Sequence, residues 1–246
     1  MADNIIEERR NVIEHLDEAC LRLLADVEQH VEIEFMLRND KSKSYDFQVT
    51  ARNDNNVPIK GRIRYYTPIE PCKIAHELLH VKCSYSLGYD KVIYDIVDSL
   101  SSNTAKQVLT DQMCQSILNQ TEHYVFYKAY ANMGYDSVKF VESINLDKNN
   151  WDKFCNGYNR SRISMADVSN LLMALHHIIL FPIDNRFSAE ERQLKHMERE
   201  LYAAFKNFRD ELPDLAMLQN NQEYSLEPTY RRLFEHINAW CIKHEQ

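Results

Sequence analysis

Apolar positions between residues 4 and 30 recur at helical spacing. Ile5, Val12, Leu16, Leu23 and Val27 fall near one face, with charges between them. From Val31 the period changes to two. Val31, Ile33 and Phe35 alternate with Glu32 and Glu34, the signature of a half-buried strand. Polar residues 38–44 predict a hairpin loop, after which Tyr45, Phe47 and Val49 alternate again. Residues 52–56 read as a turn, and Gly61 precedes a third short strand at 62–66. The stretch 31–66 therefore predicts a small, mainly antiparallel sheet.

Helical patterning dominates the rest. Thr67 and Glu70 form a T-x-x-E capping box with Pro68 at the first helical position, and Glu70 as cap with Pro71 first serves equally well. That helix should run to about Ser86, with Gly88 as its stop. Residues 91–103 predict a short helix, and 104–133 one long helix ending at Gly134. The last third carries no strand pattern. Ser164 with Asp167 and Ser188 with Glu191 resemble capping boxes that open two helices, with Pro182 between them. Pro213 and polar residues 219–225 precede a final helix at 228–243. The expected class is α+β and predominantly helical. A boundary near residue 150 would divide a domain over 1–150 from a helical region over 151–246 packed on it.

Composition narrows the function. The 246 residues carry 29 Lys and Arg against 37 Asp and Glu, a net charge of −8, which argues against a nucleic-acid partner. Four scattered glycines cannot build a dinucleotide fingerprint or a phosphate loop, since both need clustered glycines. None of the six cysteines forms a C-x-x-C pair. Residues 1–10 are charged and lack an apolar signal core, and the apolar run 171–181 is too short to cross a bilayer. The expectation is a cytoplasmic protein with reduced thiols and no membrane partner.

The segment that carries chemistry is His76-Glu77-Leu78-Leu79-His80, an H-E-x-x-H motif on a helix. Residues four apart on a helix lie one above the other, so both imidazoles can reach one metal ion. Glu77 is offset by about 100° and can sit beside a water rather than bind the metal. Chance alone gives this pattern in such a chain with a probability of about 0.03. Apolar Ile74, Ala75, Leu78 and Leu79 around it suit a buried active helix.

On these residues the chain resembles the zincin metallopeptidases, of a prokaryotic intracellular type. The resemblance covers the sheet-then-helix layout and the helix expected to carry a third ligand, about residues 31–135. The extended metzincin pattern is missing, because Val81-Lys82-Cys83-Ser84 follow His80. Asn119-Gln120-Thr121-Glu122-His123 resembles the gluzincin arrangement, in which a glutamate on the next major helix completes the site. That resemblance favours Glu122 as the third zinc ligand beside His76 and His80. His123 then acts as a catalytic, oxyanion-stabilising or supporting group, and the reverse assignment stays open. Phe126 stands where the thermolysin-like pattern has an aspartate.

The resemblance implies a zinc-dependent endopeptidase of narrow specificity acting on a protein or peptide, with Glu77 as catalytic base. Strand 62–66 would be the sheet edge on which an extended substrate pairs. The competing readings are a zincin-shaped binding module without protease activity and a helical interaction protein. Tyr124, Tyr127, Tyr130 and Tyr135 could offer an oxyanion donor but fit core packing better. Cys83 reads as a buried thiol, His176 and His177 as members of an amphipathic helix, and residues 190–200 as a solvated helix face.

Overall fold

The computed structural model describes residues 2–38, 45–53, 57–87, 90–140, 148–160, 162–183, 186–220 and 225–245. The fold is α+β and 68% helical, with one three-stranded mixed sheet. In chain order the elements are α1 (Ala2–His15), α2 (Glu18–Val27), β1 (Glu32–Leu37), β2 (Asp46–Arg52), β3 (Pro58–Tyr65), α3 (Pro71–Leu87) and α4 (Asp90–Ser99). There follow α5 (Asn103–Val108), α6 (Asp111–Asn132), α7 (Ser137–Phe140), α8 (Lys148–Gly157) and α9 (Met165–Ile179). The chain closes with α10 (Ser188–Met197), α11 (Arg199–Asp210), α12 (Leu215–Asn220) and α13 (Glu227–His244). None of the described helices is long and apolar enough to cross a membrane. All six cysteines are free.

Two compact units emerge. The first comprises Met1–Gly88, Phe126–Ser143 and Leu215–Gln222, and the second comprises Tyr89–Val125, Ile144–Asp214 and Glu223–Gln246. The division falls inside α6, which is one uninterrupted helix.

In the first unit the sheet order is β1-β3-β2, with β1 parallel and β2 antiparallel to β3. The three predicted strands form, but β1 and β2 are not hairpin partners, because β3 lies between them. Strand 62–66 is therefore the middle of the sheet, not its edge. Side chains alternate as the period-two pattern requires. Ile33, Phe35, Ile63 and Tyr65 are buried on one face. On the other, Lys60 pairs with Glu32, Arg62 with Glu34 and Arg64 with Asp46 across the strands. Gly61 faces Val49 on β2, and the ring of Phe47 lies over it. A Cβ at Gly61 would stand 2.1 Å from Phe47 Cε2.

Asp17 breaks the first helical stretch in two. Its carboxylate accepts from the Cys20 backbone N–H and caps α2. Between β3 and α3 the phenol of Tyr45 holds the connecting backbone. It donates to Tyr66 O at 3.0 Å and accepts from Glu70 N at 3.2 Å. The motif helix starts at Pro71, the second of the two starts compatible with the sequence. Its apolar residues Ile74, Ala75, Leu78, Leu79 and Val81 are all buried, and α2, β2 and β3 pack on it.

The second unit is helical. The predicted helix 104–133 is two helices. Ser102 caps α5 by accepting from Ala105 N, and Thr110 Oγ1 accepts from Met113 N at the start of α6. Gly134, at φ +88°, follows the end of α6 in the left-handed region where glycine is at ease. The capping box of Ser164 and Asp167 opens α9. Ser188 and Glu191 form no such box. Helix α10 begins one residue earlier than that box requires, with Phe187 at the cap position and Glu191 N donating to Phe187 O. Residues 190–200 are not a continuous solvated face either. Glu198 ends α10 fully buried, accepting from Tyr158 Oη at 2.8 Å and Trp240 Nε1 at 3.0 Å, with Arg160 at 3.2 Å. The loop at 39–44, the turn at 54–56, Gly88, the region before residue 148 and the break at 221–224 lie outside the described residues.

Two outcomes follow for stability. Gly61→Ala forces the Phe47 ring off β3 and should lower unfolding stability by about 1–3 kcal/mol, the usual cost of overpacking, in urea denaturation. His176, buried in α9, has a pKa pushed from 6.5 down to about 3, mainly by burial and then by His177. The unfolded chain takes up a proton below about 6.5 while the folded chain does not, so stability should fall as pH drops from that point toward 3. His176→Gln should flatten this slope in urea midpoints measured between about pH 7 and about pH 4.

Candidate metal centre

Most of helix α3 is buried, with His76 half-buried and His80 buried, so its two histidines sit in a largely apolar setting. His76 and His80 are one turn apart, and their Nε2 atoms stand 3.1 Å from each other. Two nitrogens bound at about 2.0–2.1 Å to one tetrahedral ion are about 3.3 Å apart, so the rings already hold a metal-ligand separation. Aromatic rings enclose them. Phe126 lies 5.4 Å from His76 and 4.9 Å from His80 between centroids. Phe140 and Tyr130 face His76 at 4.9 and 6.3 Å. Burial, and next the proximity of His80, hold the His76 pKa well below its ordinary 6.5. The neutral imidazole, which is the ligating form, therefore prevails at neutral pH.

The third histidine comes from α6. His123 stands one turn before Phe126, and ligand atoms of His76, His80 and His123 all lie within 4.8 Å of one another. Three imidazoles with a fourth position left for water would form a donor set used by catalytic zinc sites. The residues thus fit a resident metal ion. Glu122, expected as the third ligand, is not part of this group. It is buried beside His123, but about 100° away around the helix axis. Glu77 follows His76 on α3 and is only 8% exposed.

The remaining candidates fall outside the cluster. Tyr130 packs against His76, and Tyr135 donates its hydroxyl to Asp17 at 2.8 Å. Cys83 is a buried free thiol. His176 Nε2 accepts a hydrogen bond from the Ser116 hydroxyl at 2.8 Å while its Nδ1–H donates to Leu172 O at 2.7 Å. A cavity of about 420 Å³ in the first unit touches Leu79 and Lys82 of α3 but none of the three histidines. The sequence reading missed the part played by Phe126, Phe140 and Tyr130. Phe126 and Tyr130 follow His123 by three and seven residues, the spacing of one helix face, which was a usable signal.

In comparisons with protein-family models, curated proteins and solved structures, nothing matches the chain.

Metal quantitation on purified protein should find about one equivalent in the wild type, as three-ligand sites hold. His76→Ala, His80→Ala and His123→Ala should lose it, and Glu122→Ala should keep it. Loss in Glu122→Ala with retention in His123→Ala would reverse the assignment of the third ligand.

Proposed function

We propose that the chain is a zinc-dependent endopeptidase of the zincin type, with His76, His80 and His123 as metal ligands and Glu77 as general base. The observation that carries this reading is the joining of a complete H-E-x-x-H motif to a third imidazole at ligand distance. A purely structural site needs no carboxylate beside it, whereas hydrolysis does. Nitrogen donors of this kind suit zinc among the common biological cations. When bound, zinc with an open position would polarise a scissile carbonyl and lower the pKa of water.

The chain's own groups supply the rest. Glu77 takes a proton from the attacking water and delivers it to the leaving amine. The rings of Phe126 and Phe140 exclude bulk water from His76 and His80, which strengthens every charge interaction there. An extended substrate needs an unpaired strand edge. Strand β2 offers one, since it is an outer strand of the sheet and also packs against α3. The substrate is a protein or peptide in the cytoplasm, and a net charge of −8 disfavours nucleic acid.

Glu77→Gln should retain metal yet lose cleavage of a mixed peptide library by about 10²–10⁴-fold, the usual worth of a general base. Mass spectrometry of the digests reads the loss. A zinc-loaded wild type that cuts no peptide, or a Glu77→Gln variant that cuts as well as wild type, would sink the peptidase reading.

A further inference from the structure

A ligating histidine has two nitrogens to satisfy. One gives its lone pair to the cation, and the other then carries the ring proton. In a dry site that N–H needs an acceptor, which fixes the tautomer and the ring plane. His123 is 4% exposed, so bulk water does not serve this purpose well.

Helix α6 supplies a polar residue one turn earlier. Gln120 is 3% exposed, and its side-chain oxygen Oε1 is buried with no hydrogen-bond donor among the described residues. Such an acceptor costs stability unless a donor reaches it in some functional state. Residues three apart on a helix are neighbours, with Cβ atoms about 5–6 Å apart. Ser116, Gln120 and His123 share one face of α6. The Ser116 hydroxyl already donates to His176, and Thr121 donates to Ile117 O. Glu122 stands about 100° away from His123. Gln120 is thus the buried acceptor that helical spacing places one turn from His123 on this face.

We infer that Gln120 is a positioning residue for the metal centre, with its amide oxygen accepting the ring proton of His123 when the metal is bound. The inference rests on His123 as third ligand and does not depend on peptide cleavage. It also gives the buried amide a reason to stand where an apolar side chain would pack as well.

The test compares wild type with Gln120→Met, which keeps the shape and removes the acceptor, and with Gln120→Glu, which has an oxygen at both ends. Zinc affinity is measured by competition with a chromophoric chelator, and folding by circular dichroism and thermal melting. Gln120→Met should bind zinc about 10–100-fold more weakly, as loss of such partners usually does, while Gln120→Glu binds at least as tightly as wild type. In nitrogen-15 spectra the zinc-bound wild type should show a slowly exchanging ring N–H on His123, and Gln120→Met should lose it. Wild-type affinity in Gln120→Met overturns the inference. So does Gln120→Glu binding more weakly than wild type, a comparison that stands even if the methionine variant does not fold. A wild type that takes up no zinc overturns the three-histidine site itself and this inference with it.

Discussion

The structure turns on two imidazoles that face each other across one turn of a buried helix. At 3.1 Å, His76 and His80 cannot both be charged, and burial removes the water that would screen them. The pair therefore has two comfortable states, one proton shared between neutral rings or one cation held by both. Much of the first unit keeps α3 where this choice is forced. Tyr45 fixes the backbone that leads into it, and Glu70 is held by Lys73 at 2.9 Å and Lys139 at 3.0 Å. Lys82, two residues past His80, is tied to Asp26 of α2 at 2.6 Å. The half-exposed pairs of Glu70 add little energy singly, while Lys82 is buried and its pair with Asp26 lets it be so. They matter because they fix the helix at its start and on the side facing α2.

How much of this could be read from the chain depended on the kind of information required. Alternation in β1 named its buried face, and Val31, Ile33 and Phe35 are all buried. Alternation carries no information about which strand lies beside which, so the insertion of β3 between β1 and β2 was not legible. The clue was Gly61, a strand position with no side chain, opposite which the ring of Phe47 had to lie. Helix α3 was legible because its cap, its proline and its apolar flanks agree. The break between α5 and α6 was not, because Val108 and Leu109 continue the apolar pattern through it and are buried. Only Ser102 and Thr110, each accepting from a backbone N–H three residues on, mark the new starts. Glu198 misled for a related reason: a glutamate in a charged run reads as solvated, yet Tyr158 and Trp240 supply the donors that let it be buried.

The third histidine of the cluster shows the same division between chemistry and azimuth. Sequence chemistry identifies both Glu122 and His123 as competent donors, and nothing in their side chains chooses between them. Their directions from α6 differ by about 100°, and packing makes the choice. Phe126 and Tyr130 must cover the ring of His76, and they can do so only when their face of α6 is turned to α3. His123 belongs to that face. A slip of α6 by a single residue would shift it by about 1.5 Å and rotate it by about 100°, withdrawing both aromatic rings from the imidazoles. The apolar contacts of Phe126 thus go with the side of α6 that His123 occupies, so which side chain of α6 joins the histidine cluster is a consequence of core packing.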